Sequence, residues 1–134
     1  MLIKWKNKYN VGIKEIDDQH QRFIKIINKF YDAIVIGKSQ EELSGLFQTL
    51  TDYAEEHFSM EEKYFDEFNY TGAAEHKLKH EEIRAKLRRL KEKKVKNKIE
   101  FNVDLVYFLK EWLDNHLDQM DRKYLKCFRE HGVF

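Results

Sequence analysis

The chain has 134 residues, which is the usual size of one domain and enough for one hydrophobic core. It contains no proline and only five glycines, and 37% of its residues are charged, a composition that favours long helices over a strand-rich fold. A formal net charge of +1 excludes a global electrostatic attraction to nucleic acid or to an anionic membrane, so we expect neither as a partner.

The apolar residues recur at the 3-4 spacing of amphipathic helices after a short N-terminal arm. We expect a single domain in which residues 1–16 form the arm and residues 17–131 form a helix bundle. Gly37 is expected to end the first helix, because glycine readily adopts the left-handed conformation found there. Ser39 and Glu42 have the capping-box spacing that opens the second helix.

Two further breaks complete the helical pattern. "NYTG" precedes the third helix and offers Thr71 as its N-cap, and "KNKIEFN", residues 96–102, precedes the fourth. The fourth helix is expected from about Asn102 to Glu130. Short connections between four amphipathic helices predict an all-α, up-down-up-down antiparallel four-helix bundle.

Seven polar residues interrupt the apolar stripes of these helices. Burying a polar group costs about 1 to 3 kcal/mol unless it is satisfied, and an unpaired carboxylate costs more. One histidine on such a stripe is usually a core or surface residue, but an antiparallel bundle would bring all seven to one layer at one end. We therefore expect a shared site. The seven residues are His20, His57, Glu61, His76, His80, His116 and Asp121.

Two pairs within this set have a spacing that suits metal binding. His57 and Glu61 are four residues apart, as are His76 and His80, so each pair lies on one helix face and can converge on a single point. Five imidazoles and two carboxylates without a thiolate suit iron, zinc, copper or nickel, and they exclude an all-oxygen calcium cage.

The spacing of His116 and Asp121 differs from that of the other pairs. Five residues on an ideal helix separate two side chains by roughly 140°, so both cannot point down one seam. Both side chains can bind one metal centre if the helix locally unwinds. A centre large enough to reach both of them suggests two metal ions. "HKLKH" has the histidine spacing of a zinc protease, but Lys77 and Lys79 stand where such motifs need a glutamate base, which disfavours a hydrolase.

Four segments of the chain resemble the ligand-bearing segments of the hemerythrin family, specifically the single-domain bacterial hemerythrins. They are "VGIKEIDDQHQRF", "HFSMEE", "HKLKH" and "WLDNHLDQMD". The resemblance spans nearly the whole chain and implies a non-haem di-iron centre that binds O2 reversibly. It assigns His76, His80 and His116 to one iron and His20 and His57 to the other, which has the open position, with Glu61, Asp121 and an oxo or hydroxo group as bridges.

The resemblance also implies an apolar O2 pocket around the iron with the open position. Apolar side chains there would keep out water and protons, which promote oxidation of the site. The alternative interpretation of the same residues is ordinary core packing. The expected lining residues are Phe23, Phe58, Trp112, Leu113 and Leu117.

Two classes of function remain open. A binding protein would store, deliver or sense O2, whereas a di-iron oxidoreductase would act on NO or peroxide, and an iron reservoir is a further alternative. Di-iron enzymes that activate O2 usually carry more carboxylate ligands, and imidazole dominates here. The sequence therefore favours a binding protein that is not an enzyme.

Three other features have simpler interpretations. Residues 84–98 carry nine basic side chains and one acidic one, and could dock an acidic protein partner or a membrane, although a solvated helix face is favoured. Cys127 cannot form an internal disulfide and is expected to act as a small buried hydrophobe. His131 is expected at the surface.

The first ten residues lack the apolar run of a signal peptide, so we expect a cytoplasmic protein.

Overall fold

The computed structural model describes residues 2–95 and 103–134. Within these residues the regular structure is entirely helical, and the bundle has the predicted up-down-up-down antiparallel arrangement. The helices are a short 3-10 helix Asn7–Tyr9, α1 Lys14–Ile36, α2 Gln40–Glu67, α3 Ala73–Val95, α4 Val103–Asn115, a π-helical turn His116–Met120, α5 Asp121–Lys123 and α6 Leu125–Glu130.

The predicted end of α1 and start of α2 are confirmed. Gly37 follows α1 with a φ of 85°, in the left-handed region, and its N–H donates to carbonyls of the last turn. Ser39 is the N-cap of α2, and its Oγ accepts a hydrogen bond of 3.2 Å from the Glu42 N–H. These two local signals set the short turn that makes α1 and α2 antiparallel.

Two predicted boundaries are shifted in the structure. α1 begins at Lys14, three residues before the expected start of the bundle at residue 17. The Gly72 carbonyl accepts from the His76 N–H at 3.1 Å, which makes Gly72 the N-cap of α3, so the assignment of Thr71 was wrong. The predicted break at residues 96–102 lies outside the described residues.

The fourth helix of the bundle is interrupted where the sequence predicted local unwinding. The Asp121 N–H donates to the His116 carbonyl, a step of five residues that defines a π-helical turn. Residues at the junctions keep right-handed helical torsions, so the chain continues in the same direction through α5 and α6. The extra residue in this turn confirms the expected unwinding.

The N-terminal arm lies against α1 and α4. The Ile3 backbone exchanges two hydrogen bonds of 2.8 Å with the Asn28 side chain on α1. The Tyr9 hydroxyl donates to the Asp114 carboxylate on α4, and Ile3 and Tyr9 are both buried. The arm therefore belongs to the packed domain.

Two hydrophobic clusters form the core, on either side of a polar layer. Along α1, His20 lies between Ile16 of the second cluster and Phe23 of the first. Along α2, Glu61 lies between Phe58 of the first cluster and Phe65 of the second. The polar residues therefore lie inside the bundle with apolar packing above and below. Other members of the first cluster are Ile27, Phe30, Leu50, Leu87, Leu113 and Leu117, and of the second Val11, Ile13, Tyr124 and Phe128.

The remaining features of the sequence have structural positions of their own. Cys127 is half-buried against the second cluster, and its Sγ lies 3.9 Å from Nδ1 of His131. His131 is exposed, as predicted, and stacks on Phe68 with ring centroids 4.3 Å apart. Within residues 84–98, Arg84 forms ion pairs with side chains of α2 and α3, while residues 96–98 lie outside the described residues, so a protein partner at this segment stays a prediction.

Candidate metal centre

The structure brings all seven predicted polar residues into one buried group, called here the seven-residue cluster. None of their relative exposures exceeds 4%. α1 supplies His20, and α2 and α3 supply one i,i+4 pair each. The π-helical turn places His116 and Asp121 on the same side of the fourth helix, which an ideal α-helix would not allow. The irregular five-residue spacing of His116 and Asp121 is therefore compatible with one compact cluster.

One half of the cluster, the three-histidine group, consists of His76, His80 and His116 together with Glu61. Nε2 of His116 lies 3.2 Å from Nε2 of His76 and 3.2 Å from Nε2 of His80. One ligand atom from each of the four residues lies within 4.8 Å of the others. Three imidazole nitrogens at this separation suit tetrahedral or octahedral coordination of one ion.

The other half, the two-histidine group, consists of His20, His57, Glu61 and Asp121. The Nε2 atoms of His20 and His57 are 3.1 Å apart. Nε2 of His20 lies 3.0 Å from Oδ2 of Asp121, and Nε2 of His57 lies 2.9 Å from Oε1 of Glu61. Its four ligand atoms also lie within 4.8 Å of one another. It contains one histidine fewer than the three-histidine group.

Asp121 faces both groups at once. Its Oδ1 lies 3.0 Å from Nε2 of His76 and 3.0 Å from Nε2 of His116, while its Oδ2 lies 3.0 Å from Nε2 of His20. Both oxygens are buried and have no hydrogen-bond partner among the described residues. The carboxylate oxygens of Asp121 and the imidazole nitrogens therefore lie close together, although they do not form hydrogen bonds with each other.

Glu61 makes the second connection between the groups. Its Oε1 lies 2.9 Å from Nε2 of His57 and 3.4 Å from Nε2 of His80. Its two oxygens, like those of Asp121, are buried without a hydrogen-bond partner among the described residues. Four such carboxylate oxygens buried in one layer of the bundle are costly unless cations satisfy them, so the arrangement fits a pair of metal ions better than a hydrogen-bonded network.

The electrostatics of the cluster are governed by the same contacts. Burial alone would raise the pKa of Asp121, but the neighbouring imidazoles, His116 foremost, lower it well below its usual range. Burial opposes the charged form of His80, but the neighbouring carboxylates of Glu61 and Glu62 outweigh it and raise its pKa to about 9. Burial dominates at His116 and lowers its pKa. Without metal, protons on the imidazoles partly compensate the two carboxylates.

This charge pattern predicts a pH dependence for the metal-free protein. The pKa of His80 rises from 6.5 to about 9 on folding, so its stabilising contribution is complete below pH 6.5 and is lost as pH rises through about 9. His80→Gln removes that contribution. We expect the wild type, measured by urea unfolding in excess chelator, to lose stability relative to His80→Gln between these pH values. Parallel pH profiles of the free energy of unfolding for the two proteins would contradict the raised pKa of His80. The control is His131→Gln, which changes an exposed histidine near the C-terminus.

Several neighbours of the cluster were not predicted from the sequence. Nδ1 of His57 lies 2.6 Å from Oε1 of Gln19, and Nδ1 of His80 lies 2.8 Å from Oε2 of Glu62. Hydrogen bonds from His80 and Arg84 outweigh the effect of burial on Glu62 and lower its pKa. The sequence carried a signal for Arg84, which lies four residues after His80 and therefore on the same helix face.

Aromatic rings surround the imidazoles. Phe58 stacks on His80 with centroids 4.1 Å apart, and its centroid is 6.0 Å from that of His57, so it borders both groups. The ring of Tyr124 lies 5.6 Å from that of His76. The Tyr124 hydroxyl is buried without a hydrogen-bond partner among the described residues, and burial together with nearby carboxylates raises its pKa well above the usual value. This hydroxyl is a further unsatisfied polar group beside the cluster.

The five residues predicted to line a pocket all lie in or beside the first hydrophobic cluster. Phe23, Phe58, Leu113 and Leu117 are buried. Trp112 is half-buried and stacks on His116 with ring centroids 4.6 Å apart. That contact places Trp112 beside the three-histidine group, and its place in a pocket around the two-histidine group stays a prediction. Outside Trp112, a surface cleft of about 370 Å³ reaches His116.

No helix in the described parts of the chain combines the length and the apolar character needed to cross a membrane.

Comparisons with known proteins agree with this geometry. A family model described as the hemerythrin HHE cation binding domain matches residues 11–128. Bacteriohemerythrin of Pseudomonas aeruginosa is 32% identical over 127 residues, which cover 93% of this chain and 80% of that protein. Bacteriohemerythrin of Methylococcus capsulatus is 31% identical over 118 residues, 88% of each chain. A crystal structure of wild-type hemerythrin matches with a TM-score of 0.90 and 28% identity, covering 95% of this chain and 98% of that chain.

Proposed function

Because the chain belongs to the hemerythrin family, we propose that its seven-residue cluster holds two iron ions and binds O2 reversibly, for oxygen storage, delivery or sensing. The observation that supports this most directly is the pair of ligand groups that share Glu61. Asp121 adds a second carboxylate within 3.0 Å of histidines from both groups. Two sites joined by two carboxylates suit a pair of ions at short separation.

The contacts of the cluster support the ligand roles that we propose. His76, His80 and His116 serve one iron, and His20 and His57 serve the other, with the two carboxylates as bridges. Two ions of charge +2, two carboxylates and one bridging hydroxide sum to about +1, which a mostly apolar interior tolerates far better than +4. The two carboxylates therefore suit the total charge of two ions, and the seven ligand residues suit their number.

The iron pair would supply an open coordination position and two electrons for O2. The protein supplies the surroundings. Phe58 holds the imidazole of His80 by stacking on it, and Trp112 does the same for His116. Phe23, with Leu113 and Leu117, would exclude water from the side of the two-histidine group, where fewer protein donors leave room for a ligand. We propose binding rather than catalysis, because imidazole dominates the donor set.

The test is an optical spectrum of the anaerobically reduced, iron-loaded protein, recorded before and after air and again after argon. We expect ligand-to-metal absorption bands to appear with O2 and to disappear when argon removes it. Bands that persist under argon would indicate irreversible oxidation and would contradict an O2-binding function. A preparation that takes up zinc but no iron would contradict the proposed cofactor.

A further inference from the structure

The histidines of the cluster differ in what supports their outer nitrogens. Nδ1 of His80 lies 2.8 Å from a carboxylate oxygen of Glu62. Nδ1 of His57 lies 2.6 Å from the neutral amide oxygen of Gln19. Nδ1 of His20 and Nδ1 of His76 have no hydrogen-bond partner among the described residues. Of these four imidazoles, His80 alone is backed by an anion.

Arg84 holds that anion in place. Its Nη1 lies 2.8 Å from Oε2 of Glu62, and its Nη2 lies 3.2 Å from Oε1, so the guanidinium grips both oxygens. Its Nε donates to Glu55 at 2.8 Å, and its guanidinium lies 5.3 Å from the centroid of Phe58. Phe58 in turn stacks on His80. Arg84 therefore restrains the imidazole through a carboxylate and through a ring.

We propose that Glu62 and Arg84 are positioning residues, which fix His80 with its Nε2 toward the metal and make it a strong electron donor. This inference rests on the proposed function, since it concerns the same metal site. Glu62 accepts the Nδ1–H, which selects the tautomer whose Nε2 lone pair is free, and its charge raises the basicity of the ring. Arg84 keeps Glu62 from turning toward solvent, because the side chains are only 15% and 19% exposed and bound to each other.

A purely structural role is the alternative. Arg84 also pairs with Glu55 on α2 and with Glu81 on α3, so the network could serve only to join two helices. Glu55 provides a matched control, because it lies on the same helix as Glu62, bears the same charge and bonds the same guanidinium. The contacts found for Glu55 do not include His80. The two glutamates should differ in their effect on metal, not in their effect on the fold.

Zinc affinity is the first measurement. Full-length, zinc-loaded protein is titrated with a chromophoric chelator, and circular dichroism checks the fold of each variant. Glu62→Ala is expected to weaken Zn²⁺ binding by roughly 10- to 100-fold, the usual effect of losing an outer partner of a ligand histidine. Glu62→Gln, whose amide oxygen can still accept from Nδ1, should restore most of the affinity, and Glu55→Gln should match wild type. Equal affinities in Glu62→Ala and Glu55→Gln would overturn the proposal.

The reduction potential of the iron-loaded protein is the second measurement and does not involve O2. Glu62→Gln should raise the midpoint potential relative to Glu55→Gln, because both variants lose one negative charge and only the first loses it at His80. Equal potentials would contradict the proposed electron donation. If Glu62→Ala fails to fold, this comparison decides alone. A wild type that binds metal but not O2 would refute the proposed function. The zinc affinities and midpoint potentials of the variants would still test the role of Glu62.

Discussion

Replacing Asp121 by alanine is expected to lower the iron content from two ions per chain to less than one. Both of its oxygens face the metal site, and they lie 3.0 Å from imidazole nitrogens of both groups. The side chain is completely buried, so no other carboxylate can move in to replace it without repacking. Five imidazoles would then face each other with one carboxylate, and neither group would keep its full donor set.

The same substitution should lower thermal stability in the presence of iron. Metal that binds the folded chain stabilises it by mass action, by about 2.7 kcal/mol when its free concentration is 100 times the dissociation constant. Metal analysis and a thermal scan of the same samples test both effects. Asp66→Ala, which removes a carboxylate exposed on α2, is the control. A full complement of iron in Asp121→Ala would exclude Asp121 as a bridging ligand.

Local sequence signals were enough to predict the helices and the positions of the buried polar residues. Gly37 and the Ser39–Glu42 pair act within a few residues, and the structure confirms them. The five-residue step from His116 to Asp121 conflicts with an ideal helix, and that conflict is sufficient to predict the unwinding that the π-helical turn provides. The antiparallel arrangement was enough to predict that the buried polar residues share one layer. In such a bundle, residues near the start of one helix lie level with residues near the end of the next.

What could not be predicted depends on rotation between helices. Glu62 lies about 100° around α2 from Glu61, on a side that reads as a polar surface in a single helix. Only the packing of α3 against that side turns Glu62 toward Nδ1 of His80. Trp112 is similar, since the apolar stripe predicts its burial but not the stacking of its ring on His116. Outer contacts of this kind require the relative rotation of two helices, which periodicity does not contain.

Replacing Leu113 by alanine is expected to leave the iron content unchanged and to accelerate oxidation of the O2-bound protein. Leu113 is 3% exposed, lies one turn before His116 on α4 and belongs to the same apolar cluster as Phe23 and Phe58. It offers no ligand atom, so the metal should stay. Truncation would cost roughly 2 to 5 kcal/mol if the cavity does not collapse, and the proposed pair of ions would help the bundle to stay folded.

The cavity left by Leu113→Ala would admit water toward the proposed open position, where water and protons assist loss of reduced oxygen species. We therefore expect the O2-bound spectrum to decay to that of the oxidised protein faster than in wild type, with the difference growing as pH falls. Leu43→Ala supplies the matched control: it also truncates a buried leucine of the first cluster, but it lies 14 residues before His57 on α2, roughly 21 Å along the helix. If both variants oxidise at the same rate at every pH, general loosening of the core is responsible, and Leu113 does not guard the site.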